Sequence, residues 1–326
     1  MIREVSEGLI RVSIGSLALL DLVSLNMKYK PTTLYMLQYS PYGCLARCSF
    51  CSQSFSSRVS KKYLSRITWY SVKLSSIVEK LIDKKKLFKR ICFQTILKKY
   101  FIQETVGIME YLREQNIELP VSIATTPVSK YYLEKLYDLG VDYLGVGLDT
   151  ATPILFIKHG KPYTWSVYME FIENALEIFG EKHVYVHLIV GLGEDSLELY
   201  SLMEKLINIG CNIALFPYTS IDKRSPLVDL RYYRSTQIIR YFLQKNYKLE
   251  EIVEDGIVKR ELIEEIISNL DKYYEIFITT GCPHCNRPYY TENPKGPFYN
   301  IYGNDHFEEY KRRLIEELKQ LSKFNR

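Results

Sequence analysis

Three cysteines, Cys44, Cys48 and Cys51, stand in C-x3-C-x2-C spacing and are the residues of this chain best suited to redox metal chemistry. Thiolates are the usual ligands of iron-sulfur clusters, and a four-iron cluster normally takes four. Only three are local here, and His159 is the first histidine along the chain. If no fourth thiolate closes the site, one iron keeps an open position, which is where a metal centre does chemistry rather than holding a fold. A zinc knuckle or a chance group of core cysteines is the plainer alternative, but zinc needs a fourth ligand nearby. Cys282 and Cys285 form a C-x2-C pair, whose turn places both sulfurs on one side. That is half a site: a zinc half-site with His284, a redox pair, or part of a cluster. Cys92 shares a strand face with Gln94 and Ile96, where a cysteine is more often a small hydrophobe than a ligand.

Six apolar runs, at 33–39, 90–96, 120–125, 141–150, 183–191 and 211–218, are the elements that must position these groups. Helical patterns alternate with them, through Ile77, Leu81 and Ile82, through Val106 to Leu112, and over 131–139, 165–179 and 197–209. Such alternation predicts parallel strands joined by right-handed crossovers, hence an α/β fold closed as a partial six-unit TIM-like barrel. Sites in such barrels gather at the carboxyl ends of the strands. The cysteine triplet, Asp149, Gly191 and Tyr218 all fall at or just beyond such an end, so one pocket can hold them. Before the barrel, the apolar stretch 14–25 is interrupted by Asp21 and is too short to span a membrane; it is expected to be a helix packed on the core. The expected organisation is an N-terminal helical segment over 1–32, the barrel over 33–220 and a C-terminal extension over 221–326. The extension reads as helices at 235–244 and 260–270, a Cys, Pro, Gly and Tyr-rich loop over 281–303, and an amphipathic helix over 305–324.

The chain of 326 residues is 47% hydrophobic, enough to bury a substantial core. Lys and Arg number 43 against 38 Asp and Glu, a net charge of +5, and the basic residues are scattered, so no nucleic-acid partner is expected. Seven cysteines, an odd number in clustered spacing with no signal peptide, argue for metal ligation in a reducing cytoplasm rather than disulfides.

The triplet, with Phe50 directly before its last cysteine, resembles that of the radical S-adenosylmethionine superfamily, and the segments 142–150 and 186–194 resemble strands of biotin synthase. The resemblance implies a 4Fe-4S cluster on Cys44, Cys48 and Cys51 that binds S-adenosylmethionine, with Phe50, Asp149, Gly191, Glu194 and Tyr218 around the cofactor. Asp149 then contacts its ribose, a task suited to a carboxylate accepting two hydroxyl hydrogen bonds. Gly191 lets the cofactor approach the backbone, although alone Gly191 and Gly193 read as an ordinary turn. Biotin synthase also has an auxiliary cluster, one of whose cysteines corresponds to Cys92. The cysteine expected on the third strand is replaced by the 122–125 segment, however, and Cys211 lies at the wrong end of its strand.

The loop Cys282-Pro283-His284-Cys285-Asn286-Arg287-Pro288-Tyr289-Tyr290, added to that barrel, resembles the archaeal two-subunit lipoyl synthases. This implies a second 4Fe-4S cluster on Cys92, Cys282 and Cys285, completed by Arg287, a serine or the substrate, and consumed as sulfur donor. The expected reaction is radical sulfur insertion into an unactivated C–H bond of an octanoylated carrier protein. A partner subunit and an electron donor such as ferredoxin are implied. The alternatives are a biotin-synthase-like or other radical enzyme acting on a free small molecule, and a non-catalytic zinc module.

Overall fold

A computed structural model describes residues 5–219 and 228–324. Nine strands form one sheet: β1 (Leu9–Ser13), β2 (Thr33–Gln38), β3 (Tyr63–Leu64), β4 (Ile67–Lys73), β5 (Arg90–Gln94), β6 (Val121–Thr125), β7 (Val141–Asp149), β8 (Val184–Val190) and β9 (Asn212–Pro217). Their order is β3-β4-β1-β2-β5-β6-β7-β8-β9. From β2 through β5 to β9 every pairing is parallel. These are the six runs read from the sequence, curled into a partial barrel. Helices Leu74–Lys84, Phe101–Glu114, Lys130–Asp138, Trp165–Phe179 and Ser196–Asn208 make the crossovers. Their apolar faces meet fully buried strand residues such as Leu34, Ile91, Ile123, Leu144, Val186 and Ile213. Cys211 belongs to this outer core and not to the barrel interior, as its place at a strand start implied.

The N-terminal segment corrects the expectation of a helix alone. Within 14–25 the helix covers Ile14–Leu19, and β1 before it joins the sheet antiparallel to both β2 and β4. The polar stretch after the cysteine triplet ends in the β3–β4 hairpin, turned at Ser65 with φ of 52°. Short antiparallel strands with mixed burial leave little periodic signal; their register is fixed by long-range partners, such as Arg11 donating to the Trp69 carbonyl at 3.3 Å. The expected boundary at 220 and 221 lies outside the described residues.

In the C-terminal extension, helices Leu230–Leu243, Arg260–Ser268 and Asn304–Phe324 pack together. The last buries Phe307, Tyr310, Leu314, Leu318 and Leu321, the apolar stripe read from the sequence. Between them, residues 279–291 bridge the two margins of the open sheet. On one side the Thr280 hydroxyl accepts the Leu215 N–H of β9 at 2.8 Å. On the other, the Tyr290 carbonyl accepts the Arg66 N–H beside the hairpin at 3.0 Å. Among the described residues no helix is long and apolar enough to cross a membrane.

A candidate metal centre and its cavity

The cysteine triplet sits in a loop pinned from several sides. The Cys44 N–H donates to the Gln53 carbonyl (2.7 Å), Leu45 N–H to Leu97 O (2.7 Å), Phe55 N–H to Ala46 O (2.9 Å) and Ser49 N–H to His159 O (2.9 Å). Gly43, at φ +77°, could not be another residue: a Cβ there would lie 2.5 Å from the Gln53 carbonyl. Lys61 turns inward and donates to the carbonyls of Ser52 and Ser57 at 3.2 and 3.1 Å. Burial first, then the neighbouring thiols and Asp149, push Cys48 up to about 12, while Lys161 opposes them. Cys51 is pushed up to about 11, again chiefly by burial. Such thiols ionise when a metal replaces the proton, and this soft donor set fits an iron-sulfur cluster. Among the described residues no three His, Cys, Asp or Glu side chains converge closely enough for a single ion. A four-iron cluster, whose thiolates attach to different irons, asks for a wider triangle.

At the end of β7 the register shifts between Gly147 and Asp149, and Asp149 takes φ of 68°. The bulge re-aims its carboxylate, whose Oδ2 accepts from Lys161 Nζ at 2.5 Å. The same ammonium donates to the Gly147 carbonyl at 2.5 Å and lies 5.1 Å from the Tyr168 ring centre and 6.0 Å from that of Phe50. Burial is the largest single influence and acts to lower the Lys161 pKa, but Asp149, Tyr168 and Cys48 together outweigh it and the net shift is upward. Sequence reasoning missed Lys161; the only signal was a lysine just past the His159-Gly160 turn that closes a short helix.

Phe50, Cys51, Asp149 and Tyr218 line one cavity of about 270 Å³, and Cys92, Cys282, Cys285 and Arg287 line the same cavity. The second set enters from the opposite end. The loop carrying Cys282 and Cys285 is latched where the strands begin, with the His284 carbonyl accepting from Thr33 Oγ1 at 3.0 Å and the Pro283 carbonyl from Arg90 Nε at 3.2 Å. Arg90 is held in turn by a bidentate ion pair with Asp142 and by Ser122 Oγ at 3.0 Å. Ser122 faces Cys92 in register across β5 and β6, so a serine occupies the position where a cysteine was expected. Burial above all lifts the Cys92 thiol well above its ordinary value and Cys282 to about 12; the Ser122 hydroxyl bonded to Cys282 pulls the other way. The Tyr35 hydroxyl accepts the N–H groups of Asn286 and Arg287 at 3.1 and 3.0 Å and lies 3.5 Å from Cys285 Sγ. Arg287 donates to the Thr280 carbonyl at 2.7 Å with its guanidinium 3.8 Å from the Phe216 ring centre.

Gly191 and Glu194 do not line this cavity. Gly191 takes φ of +97°, and a Cβ there would meet Val228 at 2.7 Å. Glu194 Oε1 accepts the Gly191 N–H at 2.6 Å and the Tyr232 hydroxyl at 3.1 Å, which makes it a turn clamp. His187, not singled out from the sequence, stands on the cavity wall above Gly145, where a Cβ would lie 2.9 Å from its Nε2. Enclosure lowers its pKa to about 4 despite Asp149, so it is a neutral imidazole at pH 7.

Fold and site together define a partial parallel barrel with a three-thiol loop at its carboxyl rim. The sequence pattern of the radical SAM superfamily matches residues 39–206, and the chain belongs to that superfamily. Membership implies a 4Fe-4S cluster and S-adenosylmethionine. The fold resembles methylornithine synthase (17% identity, 74% of this chain and 77% of that one, TM-score 0.50). It also resembles the FeFe-hydrogenase maturase HydG from Carboxydothermus hydrogenoformans (13% identity, 90% and 77%, TM-score 0.50). At these identities the likeness shows the fold alone. No curated protein sequence matches the chain.

Proposed function

We propose that this radical SAM enzyme inserts sulfur into an unactivated C–H bond, with an octanoylated carrier protein as substrate and lipoyl group assembly as the outcome. The observation that carries the reading is the second thiol set: Cys92, Cys282 and Cys285 line the same cavity as Phe50, Cys51 and Asp149. Cys44, Cys48 and Cys51 would hold the first cluster, and Cys92, Cys282 and Cys285 a second one that donates sulfide. When bound, the first cluster and S-adenosylmethionine supply one-electron chemistry that can take a hydrogen atom from an alkyl carbon no side-chain base could deprotonate.

The chain's own residues have separable tasks. Lys161 and Asp149 present a fixed charge pair beside the triplet, suited to the polar groups of S-adenosylmethionine. Ala124, Ile189 and Phe216 give an apolar wall for an alkyl chain. Arg287 and Ser122 stand beside the second thiol set as candidates for a weaker fourth contact, the kind from which sulfide is released readily. The closing segment 279–291 keeps water from the interior. The test is iron and acid-labile sulfide per chain, with 5'-deoxyadenosine and thiolated product measured after reduction. Wild-type protein should hold two clusters and thiolate an octanoylated carrier rather than free octanoate. Cys282→Ala should still release 5'-deoxyadenosine but transfer no sulfur; sulfur transfer by that variant would remove the second-cluster assignment.

A further inference from the structure

Tyr35 lies in the middle of β2, buried, and its register partner on β5 is Cys92, which in turn faces Ser122 on β6. One row across three strands therefore carries a phenol, a thiol and a hydroxyl. The segment that closes the sheet sets its two cysteines against this row, Cys282 beside Ser122 and Cys285 beside Tyr35. The Tyr35 ring is held in a buried cluster with Leu37, Trp69, Ile96 and Tyr290, its centre 5.1 Å from that of Tyr290, and both Cys92 and Cys285 pack against that cluster. The phenol is fixed in place.

A tyrosine hydroxyl has two lone pairs and one proton. The lone pairs take the N–H groups of Asn286 and Arg287 at 3.1 and 3.0 Å. They brace a turn in which Arg287 holds φ of 37°, a costly value for a residue with a Cβ. Bracing needs only the lone pairs. The proton is left over, and among the described residues the one acceptor it reaches is Cys285 Sγ at 3.5 Å. A protonated thiol accepts weakly, whereas a thiolate accepts strongly, so the contact gains most when a metal displaces the thiol proton. We infer that Tyr35 is a positioning residue for the second thiol set: its O–H donates to the Cys285 sulfur, fixes that sulfur on the row beside Cys92 and favours its metal-bound form. The inference rests on the reading of Cys92, Cys282 and Cys285 as ligands and adds the group that tunes one of them. A hydrogen bond to a ligand sulfur steadies the metal and, by drawing charge from the sulfur, raises the reduction potential of a cluster.

The test uses the reconstituted full chain and Tyr35→Phe, which keeps the ring and removes only the hydroxyl. In a potentiometric titration followed by electron paramagnetic resonance, the signal that S-adenosylmethionine does not perturb belongs to the second set. Its potential should fall in Tyr35→Phe, and iron from that set should pass to a chelator about 10-fold faster. The signal that S-adenosylmethionine does perturb should keep its potential. A ring-fluorinated tyrosine in place of Tyr35 donates more strongly at nearly the same shape, and it should move the second potential the opposite way, which a purely structural brace would not do. The same fluorine reports on the metal-free chain by magnetic resonance: Cys285→Ala should shift its signal, and Cys282→Ala should leave it in place. An unmoved second potential in Tyr35→Phe, or a fluorine signal indifferent to Cys285→Ala, overturns the inference. A single cluster per chain with the fluorine difference intact would instead sink the second-cluster reading and leave the Tyr35 contact with Cys285 standing.

Discussion

Asp149 and Lys161 show how much of the site rests on a single pair. Their side chains are 15% and 5% exposed, so neither charge has water to fall back on. Removing one partner of a buried pair strands the other, and Lys161→Met should lower unfolding stability by about 3–5 kcal/mol in chemical denaturation. Asp149→Asn in the same chain should recover part of that loss, because the stranded charge is then gone. The two buried histidines set a pH dependence. Enclosure lowers the pKa of both His187 and His306 to about 4, from an unfolded value near 6.5. Between those values the unfolded chain binds protons that the native state refuses. Stability is therefore full above 6.5 and falls as pH drops towards 4, by on the order of 3 kcal/mol per histidine at most. Replacing both with glutamine should flatten the urea midpoint over that range.

At the scale of elements, the cysteine loop is held less by itself than by its neighbours. Gly160, at φ +67°, lets the turn after Pro153–Lys158 press against the Arg47 backbone. Gly160→Ala adds strain and a contact that only movement of the loop relieves. The expected cost is about 1–3 kcal/mol, with reduced iron retention after anaerobic reconstitution as the specific readout. If iron per chain is unchanged, the turn does not position the triplet. The far end depends on Arg90, which reaches Asp142, Ser122 and the Pro283 carbonyl from the first position of β5. Arg90→Met should cost about 2–4 kcal/mol, since Asp142 is only partly exposed. It should also speed amide exchange in residues 282–287, the latch that this arginine holds.

Across the whole molecule, the nine-stranded sheet leaves two margins, and the C-terminal segment joins them through Thr280 and Tyr290. The first thiol set thus belongs to the barrel, and two cysteines of the second belong to the piece that closes it. On the proposed function, closure and completion of the sulfur-donating site are one event.

The sequence alone determined the six strand-helix units, the triplet at the end of β2 and the stripe of the last helix, because each is a local pattern of period two, period 3.6 or fixed spacing. It also singled out Cys92, Cys282 and Cys285. Only the tertiary structure decided that their loop enters where the strands begin, that β1 and the β3–β4 hairpin extend the sheet, and that Gly191 and Glu194 stand outside the cavity. Lys161 and His187 likewise acquire their places through partners far along the chain. Contacts of that kind are fixed by how the barrel closes, and closure leaves no periodic trace in the order of residues.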